Sequence, residues 1–143
     1  MTTDSAPETI TLDGHRYRRD DLSDNARGQV DSLLFVDREV TDLDNRLAVF
    51  QTARSAYAQQ LTGLLPEKQA PANKKKDVVS IDGARYNRAD FSEEGRAQLA
   101  NLQFTDAEIE RLRNRRAVYQ TARTAYSRAL GEQLQDVQPV TGH

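Results

Sequence analysis

Apolar and polar residues alternate in some segments of this chain, and in others apolar residues recur every three or four positions. The two patterns follow one another in the same order twice. Short runs that alternate apolar and polar residues flank an Asp-Gly dipeptide at residues 13–14 and again at 82–83. Alternation is typical of a strand with one buried face, and Asp-Gly favours the positive φ angles of a two-residue turn. We therefore predict two β-hairpins. Their turns place these residues opposite one another: Leu12 and His15, Ile10 and Tyr17, Ile81 and Ala84, and Val79 and Tyr86.

Behind each hairpin, apolar residues recur every three or four positions, which is typical of amphipathic helices. Ser23 and Ser92 precede acidic residues and make good N-caps, so a short helix is predicted to begin at each serine. We expect these short helices to end near Leu34 and Gln103.

A longer helix is predicted to follow each short one. Thr105 and Glu108 have the spacing of a capping box, and Phe104 and Ile109 have the spacing of a hydrophobic staple. Neither segment contains proline, so each long helix is expected to run about 25 residues. Its expected buried face consists of matched residues in the two copies: Val40, Leu43, Leu47, Phe50, Tyr57, Leu61 and Leu64, and Ile109, Leu112, Arg116, Tyr119, Tyr126, Leu130 and Gln133.

A second stripe of small apolar residues widens the apolar surface of each long helix beyond what one short helix can cover. It consists of Val49, Ala53 and Ala56, and of Val118, Ala122 and Ala125. A domain of about 57 residues with so few large apolar side chains is marginal alone. We therefore predict a mostly helical α+β protein, in which two helical hairpins pack as a pseudo-twofold four-helix bundle. A homodimer of the whole chain would bury the same surface and is the alternative.

The chain is a tandem duplication. Residues 10–65 align without a gap on residues 79–134, and about 26 of the 56 aligned pairs are identical. The segment between the copies contains two prolines, no large apolar residue and a basic cluster, so it is expected to be an exposed linker. The predicted organisation is a disordered N-terminus (1–8), repeat 1 (9–65), a linker (66–77), repeat 2 (78–134) and a tail (135–143), with a hairpin and two helices in each repeat.

The composition of the chain excludes several kinds of functional site. With 20 basic and 22 acidic side chains the net charge is −2, and the absence of cysteine excludes disulfides and thiolate metal sites. No apolar run approaches the length of a membrane span, and the polar N-terminus lacks the pattern of a signal peptide. A cytoplasmic location is the expectation, with export by a signal-independent route left open. No cofactor or metal is expected, since His15 is the only internal histidine.

Charged residues on the long helices are the candidate interaction or buried polar groups. Arg54 and Arg123 fall in or beside the apolar surface. They could form a duplicated anion site, or interhelical salt bridges with matched carboxylates such as Asp37 and Asp106. At other matched positions, Asp42, Asp44 and Leu47 of the first copy correspond to Arg111, Arg113 and Arg116 of the second. If the long helices pair, these complementary charges would favour unlike pairing; the alternative is that they lie on solvated faces. The full candidate set is Arg46, Arg54, Arg115, Arg123, Arg111, Arg113, Arg116, Asp42 and Asp44.

The motifs L/I-D-G-x-x-Y, F-x-D-x-E and Q-T-A-R-x-A-Y occur in both copies. In these motifs each copy resembles, over nearly its full length, a small bacterial family of domains of unknown function (number six-four-four-seven). The resemblance implies a bacterial protein and a unit of one hairpin and one helical hairpin, and it implies no activity. Members of that family usually carry a single copy. If such members dimerise, this chain is a fused pseudo-dimer.

No catalytic set accompanies the arginines, so we do not expect an enzyme. The function that we predict is a non-enzymatic protein–protein interaction or scaffold module that binds another protein or itself. The alternative is nucleic-acid or polyanion binding through the basic clusters, which acidic neighbours and an isoelectric point near 5.7 make unfavourable. These clusters are Lys74, Lys75 and Lys76, and Arg111, Arg113, Arg115 and Arg116.

Overall fold

A computed structural model describes residues 8–12 and 14–140. The chain is mostly helical, with two antiparallel two-stranded sheets and two long α-helices that pack together. Among the described residues no helix is both long and apolar enough to cross a membrane. The elements in chain order are β1 (Thr9–Leu12), β2 (His15–Arg18), α1 (Asp24–Thr62), β3 (Val78–Ile81), β4 (Ala84–Asn87) and α2 (Glu93–Gln133).

Both hairpins have the predicted register, with Ile10 opposite Tyr17 and Val79 opposite Tyr86. In the second turn Asp82 has a φ of 50° and Gly83 one of 84°, the left-handed conformation for which Asp-Gly is suited. Gly14 repeats this with a φ of 80°. Its neighbour in the predicted turn, Asp13, lies outside the described residues, as do residues 1–7 of the predicted disordered N-terminus.

The predicted N-caps are confirmed. The Ser23 hydroxyl accepts a hydrogen bond from the backbone N–H of Ala26 at 3.1 Å, and the Ser92 hydroxyl accepts one from Gly95 at 2.9 Å. A single turn of 3-10 helix, which the sequence pattern did not predict, precedes each cap at Arg19–Asp21 and Arg88–Asp90.

The predicted break between a short and a long helix is wrong in both repeats. α1 and α2 are continuous through Leu34 and Gln103, so the described residues contain two α-helices and form no four-helix bundle. Thr105 is not a cap. It lies within α2 with 2% of its surface exposed, and its hydroxyl donates to the backbone oxygen of Asn101 at 2.7 Å. The hydroxyl is thereby satisfied within the helix, and the side chain fills the buried position that Val36 takes in α1.

The chain divides into two compact units that cut across the sequence repeats. Unit 1 consists of Met1–Leu43 and Arg115–His143, and unit 2 consists of Asp44–Asn114. Each unit therefore combines the hairpin and the first half of the long helix of one repeat with the second half of the long helix of the other repeat.

Each unit has its own hydrophobic core, in which the apolar face of the hairpin packs on both helical segments. Leu130 of the second repeat is 1% exposed in the core of unit 1, and Leu61 of the first repeat is 0% exposed in that of unit 2. The buried core of unit 1 is formed by Tyr17, Leu22, Ala26, Val30, Leu33, Leu130 and Leu134. That of unit 2 is formed by Leu61, Val79, Tyr86, Phe91, Leu99 and Leu102.

The small-residue stripe is not buried as expected. Val49 and Val118 are 67% and 68% exposed. Since each repeat supplies one helix rather than two, each unit holds only two helical segments, and each segment has one helical neighbour to cover one of its faces. By contrast, all the residues expected on the main buried face of the long helices are buried or half-buried.

The continuity of α2 predicts the effect of changing Thr105 to the valine found at the matched position of α1. Thr105→Val is expected to leave the free energy of unfolding unchanged or to raise it by up to about 1 kcal/mol, because the hydroxyl only duplicates a bond to a carbonyl already in the helix. Chemical denaturation measures this change.

If Thr105 were a true N-cap, Thr105→Val would lower the free energy of unfolding by roughly 0.5–2 kcal/mol. A decrease of that size would contradict the continuous helix. The matched control is Val36→Thr in α1, which buries an added hydroxyl at the equivalent place and is expected to destabilise the protein modestly.

Candidate interaction surfaces

The two arginines singled out by the sequence, Arg123 and Arg54, form matched ion pairs. In unit 1 the Nε of Arg123 donates to Asp37 Oδ1 at 2.7 Å, joining α2 to α1. In unit 2 Arg54 on α1 makes the same contact with Asp106 on α2. These side chains are about half exposed, so each pair contributes no more than about 1 kcal/mol. Their arrangement is that of interhelical salt bridges, in which an aspartate already neutralises each guanidinium.

A matched glutamate is bound differently in the two units. In unit 1 the Tyr119 hydroxyl on α2 donates to Glu39 Oε1 on α1 at 3.3 Å. Phe50 takes the place of this tyrosine in unit 2 and has no hydroxyl. There Arg111 donates to Glu108 at 2.9 Å instead, and this hydrogen bond lowers the pKa of Glu108. The charge that differs between the copies at position 111 therefore has a local role within α2.

Each unit contains some of the remaining candidate charges. Arg113 lies beside the Arg54–Asp106 pair, along a surface hollow of about 530 Å³ in unit 2. The others are distributed over both units: Asp42, Arg115 and Arg116 belong to unit 1, and Asp44 and Arg46 to unit 2. All of them are exposed except Arg116, which is half-buried. Among the described residues, no group of three or more histidine, aspartate or glutamate side chains is placed to hold a metal ion.

Within the described part of the chain, each unit has an exposed apolar face on one helix, at matched positions. We call these the apolar helix faces. In unit 1 the face consists of Ala117, Val118, Thr121, Ala122 and Ala125 on α2, and it forms a shallow apolar hollow. In unit 2 it consists of Ala48, Val49, Thr52, Ala53 and Ala56 on α1. Each unit also exposes a matched phenylalanine, Phe35 or Phe104. Such surfaces are typical of protein–protein contacts.

A groove runs beside the first strand of each hairpin. In unit 1 it has a volume of about 350 Å³ and lies between β1 and α1, with Val30 and Leu33 among its lining residues. In unit 2 it has a volume of about 360 Å³ and lies between β3 and α2, lined by the matched Leu99 and Leu102. In each unit, the groove is also lined by the two residues of the interhelical ion pair. Sequence reasoning missed both grooves, since their walls come from segments far apart in the chain.

At the opposite edge of each hairpin, a backbone hydrogen bond joins the second strand to another segment of the chain. In unit 1 the backbone N–H of Val140, in the tail, donates to the backbone oxygen of Arg16 on β2 at 2.6 Å. In unit 2 the N–H of Ala70, in the linker, donates to the backbone oxygen of Arg85 on β4 at 2.8 Å. The linker therefore contacts the protein and is not merely a solvated spacer.

The Arg85 side chain fastens the linker further. Its guanidinium donates to the backbone oxygens of Pro71 at 3.2 Å, Ala72 at 3.0 Å and Lys74. Arg16, the matched residue of unit 1, makes no side-chain hydrogen bond within the described part of the chain. The two hairpin edges are thus covered by different means.

Comparisons with protein families, with curated proteins and with solved structures find no match for this chain. The resemblance to the bacterial domain family therefore stays a prediction, and the surfaces described above carry the functional argument.

The contact between Arg85 and the linker predicts the effect of removing the guanidinium. Arg85→Gln is expected to expose the linker and to speed cleavage after Lys74, Lys75 and Lys76 by a lysine-specific protease, by about threefold or more, because segments with fewer hydrogen bonds open more often. Mass spectrometry of the fragments measures the rate at each lysine. Arg16→Gln is the matched control and should leave it unchanged. Equal rates in both variants would contradict a fastened linker.

Proposed function

We propose that this protein is a non-enzymatic protein–protein interaction module, and that it associates with copies of itself through the apolar helix faces. The observation that carries the proposal is the exposure of Val49 and Val118 at matched positions of the two faces. Isolated exposed valines need no explanation, but here each lies among alanines and threonines with no charged residue within the face.

The composition of the faces supports contact with another helix. Alanine side chains let two helices approach closely, towards the short end of the usual 8–10 Å separation of helix axes. Because every copy carries two faces of nearly identical sequence, every copy can both offer and receive the same surface, which is the requirement for self-association.

The basic clusters support the alternative, binding of nucleic acid or another polyanion, less well. Arg111 is engaged by Glu108, and Glu110 lies next to it in the sequence. A phosphate group would have to compete with these carboxylates for the guanidinium groups.

The proposal is tested by the mass of the protein in solution, measured by light scattering over a concentration series. The wild-type mass is expected to rise above the 16.1 kDa of one chain as concentration increases. The double variant V49D/V118D is expected to stay at that mass, because a carboxylate buried in an apolar contact without a partner is strongly unfavourable.

The matched control places the same charges at exposed polar positions of the same helices, in S55D/T124D, and it should associate like the wild type. A wild-type mass of 16.1 kDa at every concentration would contradict self-association. Association that is equally strong in V49D/V118D would contradict the assignment of the surface.

A further inference from the structure

Among the described residues, each hairpin has one edge to which no other segment is hydrogen-bonded. A two-residue turn makes the pair next to it, Leu12 with His15, hydrogen-bonded, and such pairs alternate along an antiparallel ladder. The backbone groups of Thr9 and Thr11 therefore point away from β2, to the outer edge of β1. The bonds on the other side of the hairpin agree with this alternation, because the carbonyl of Arg16, which is opposite Thr11, accepts from Val140.

The outer edge of β3 is open in the same way. Val78 and Ser80 occupy the positions that match Thr9 and Thr11. Within residues 8–12 and 14–140, no hydrogen bond from another segment reaches the outward backbone groups of these four residues. Such an edge is a template for one more strand, and neither β1 nor β3 carries the lysine, proline or bulge with which proteins commonly block an open edge.

The groove lies directly beside this edge. Ile10 and Leu12 on β1 point to the core of unit 1, so a strand added alongside would direct every second side chain to the same side. There it would meet Val30, Leu33 and Leu34, which line the groove. Leu34 is 48% exposed, so the lining includes apolar surface that is still uncovered.

We propose that the outer edge of β1, and more weakly that of β3, binds an extended peptide segment of a partner protein as a third strand. Main-chain hydrogen bonds to Thr9 and Thr11 would supply the affinity, and apolar side chains at alternate positions would fill the groove. This surface shares no residue with the apolar helix faces, so the inference goes beyond self-association and does not rest on it.

A second copy of this chain fits the groove less well than a free segment. The strand of another copy already has its apolar face packed on its own helices, which would occupy the space that the groove offers. The occupant must have both faces free, as an extended segment does. The chain itself places segments outside its strands and helices, the linker and the tail, against the backbone of the opposite edges of the same hairpins.

On the helical wall of the two grooves, one matched lining position changes from apolar to polar, and this change sets their preference. Leu34 in unit 1 is replaced by Gln103 in unit 2. Asp82 and Arg88 also line the groove of unit 2. An apolar peptide should therefore prefer unit 1, and exchange of the two residues should reverse part of that preference.

The probe is a synthetic peptide, acetyl-Lys-Thr-Val-Thr-Val-Thr-Val-Lys-amide, titrated into the isotope-labelled full-length protein and followed by NMR. We expect binding at about 0.1–1 mM, with slower hydrogen exchange at the N–H groups of Thr9 and Thr11. Leu34→Gln should weaken binding to unit 1 about tenfold, and Gln103→Leu should strengthen binding to unit 2 by a similar factor. Thr11→Pro should abolish binding to unit 1, since it removes the outward N–H.

Two control peptides separate strand addition from apolar adhesion. One is N-methylated at every threonine and the other at every valine, so each lacks the N–H groups along one edge only. Strand addition requires that one of them binds and the other does not. If the peptide methylated at threonine fails to bind, the added strand is antiparallel to its neighbour. If the peptide methylated at valine fails to bind, the added strand is parallel.

Equal binding of both methylated peptides, or peptide contacts confined to the apolar helix faces, would overturn the inference. So would the absence of any protection at Thr9 and Thr11 at saturating peptide. V49D/V118D, which tests self-association, is expected to bind the peptide like the wild type, so the two proposals fail separately.

Discussion

Each hairpin is buried against two helical segments, one from its own repeat and one from the other repeat, and the rest of the structure depends on this burial. A hairpin of two four-residue strands is not stable alone, and the half-helix that follows it covers only part of its apolar face. Leu130 completes the core of unit 1 and Leu61 completes that of unit 2. Full burial of one leucine is worth about 1.5–3 kcal/mol, a large share of what a small core supplies. In this structure, therefore, neither core is formed by the residues of one repeat alone.

The two copies share one of the contacts that join their helices. The ion pair of Arg123 with Asp37 recurs as Arg54 with Asp106. Other positions have changed together. Leu22 and Ala26 in the core of unit 1 are replaced by Phe91 and Gly95 in unit 2, where a Cβ on the glycine would lie 3.3 Å from the phenylalanine ring. The larger side chain of Phe91 is thus accompanied by the loss of the methyl group at Gly95, as dense packing requires.

Local structure could be predicted from the sequence because its signals are local. The turn at Asp82 and Gly83, and the caps at Ser23 and Ser92, depend on a few neighbouring residues. Thr105 misled for the same reason, because its capping-box pattern is equally compatible with a buried threonine inside a helix. The cross-repeat units and both grooves depend on contacts between distant segments, and no periodicity in a single strand or helix carries that information.

Each hairpin is held in place by the helix of the other repeat, and native-state hydrogen exchange on Leu61→Ala is a direct test of this dependence. Leu61 belongs to the first repeat but lies in the core of unit 2. Removal of a buried leucine costs about 2–5 kcal/mol, so exchange of the amides that join β3 to β4 should accelerate by at least about tenfold, while those that join β1 to β2 change little. Leu130→Ala should produce the reverse pattern. Faster exchange of β1 and β2 in Leu61→Ala, with β3 and β4 unaffected, would instead mean that each hairpin is held by the helix of its own repeat.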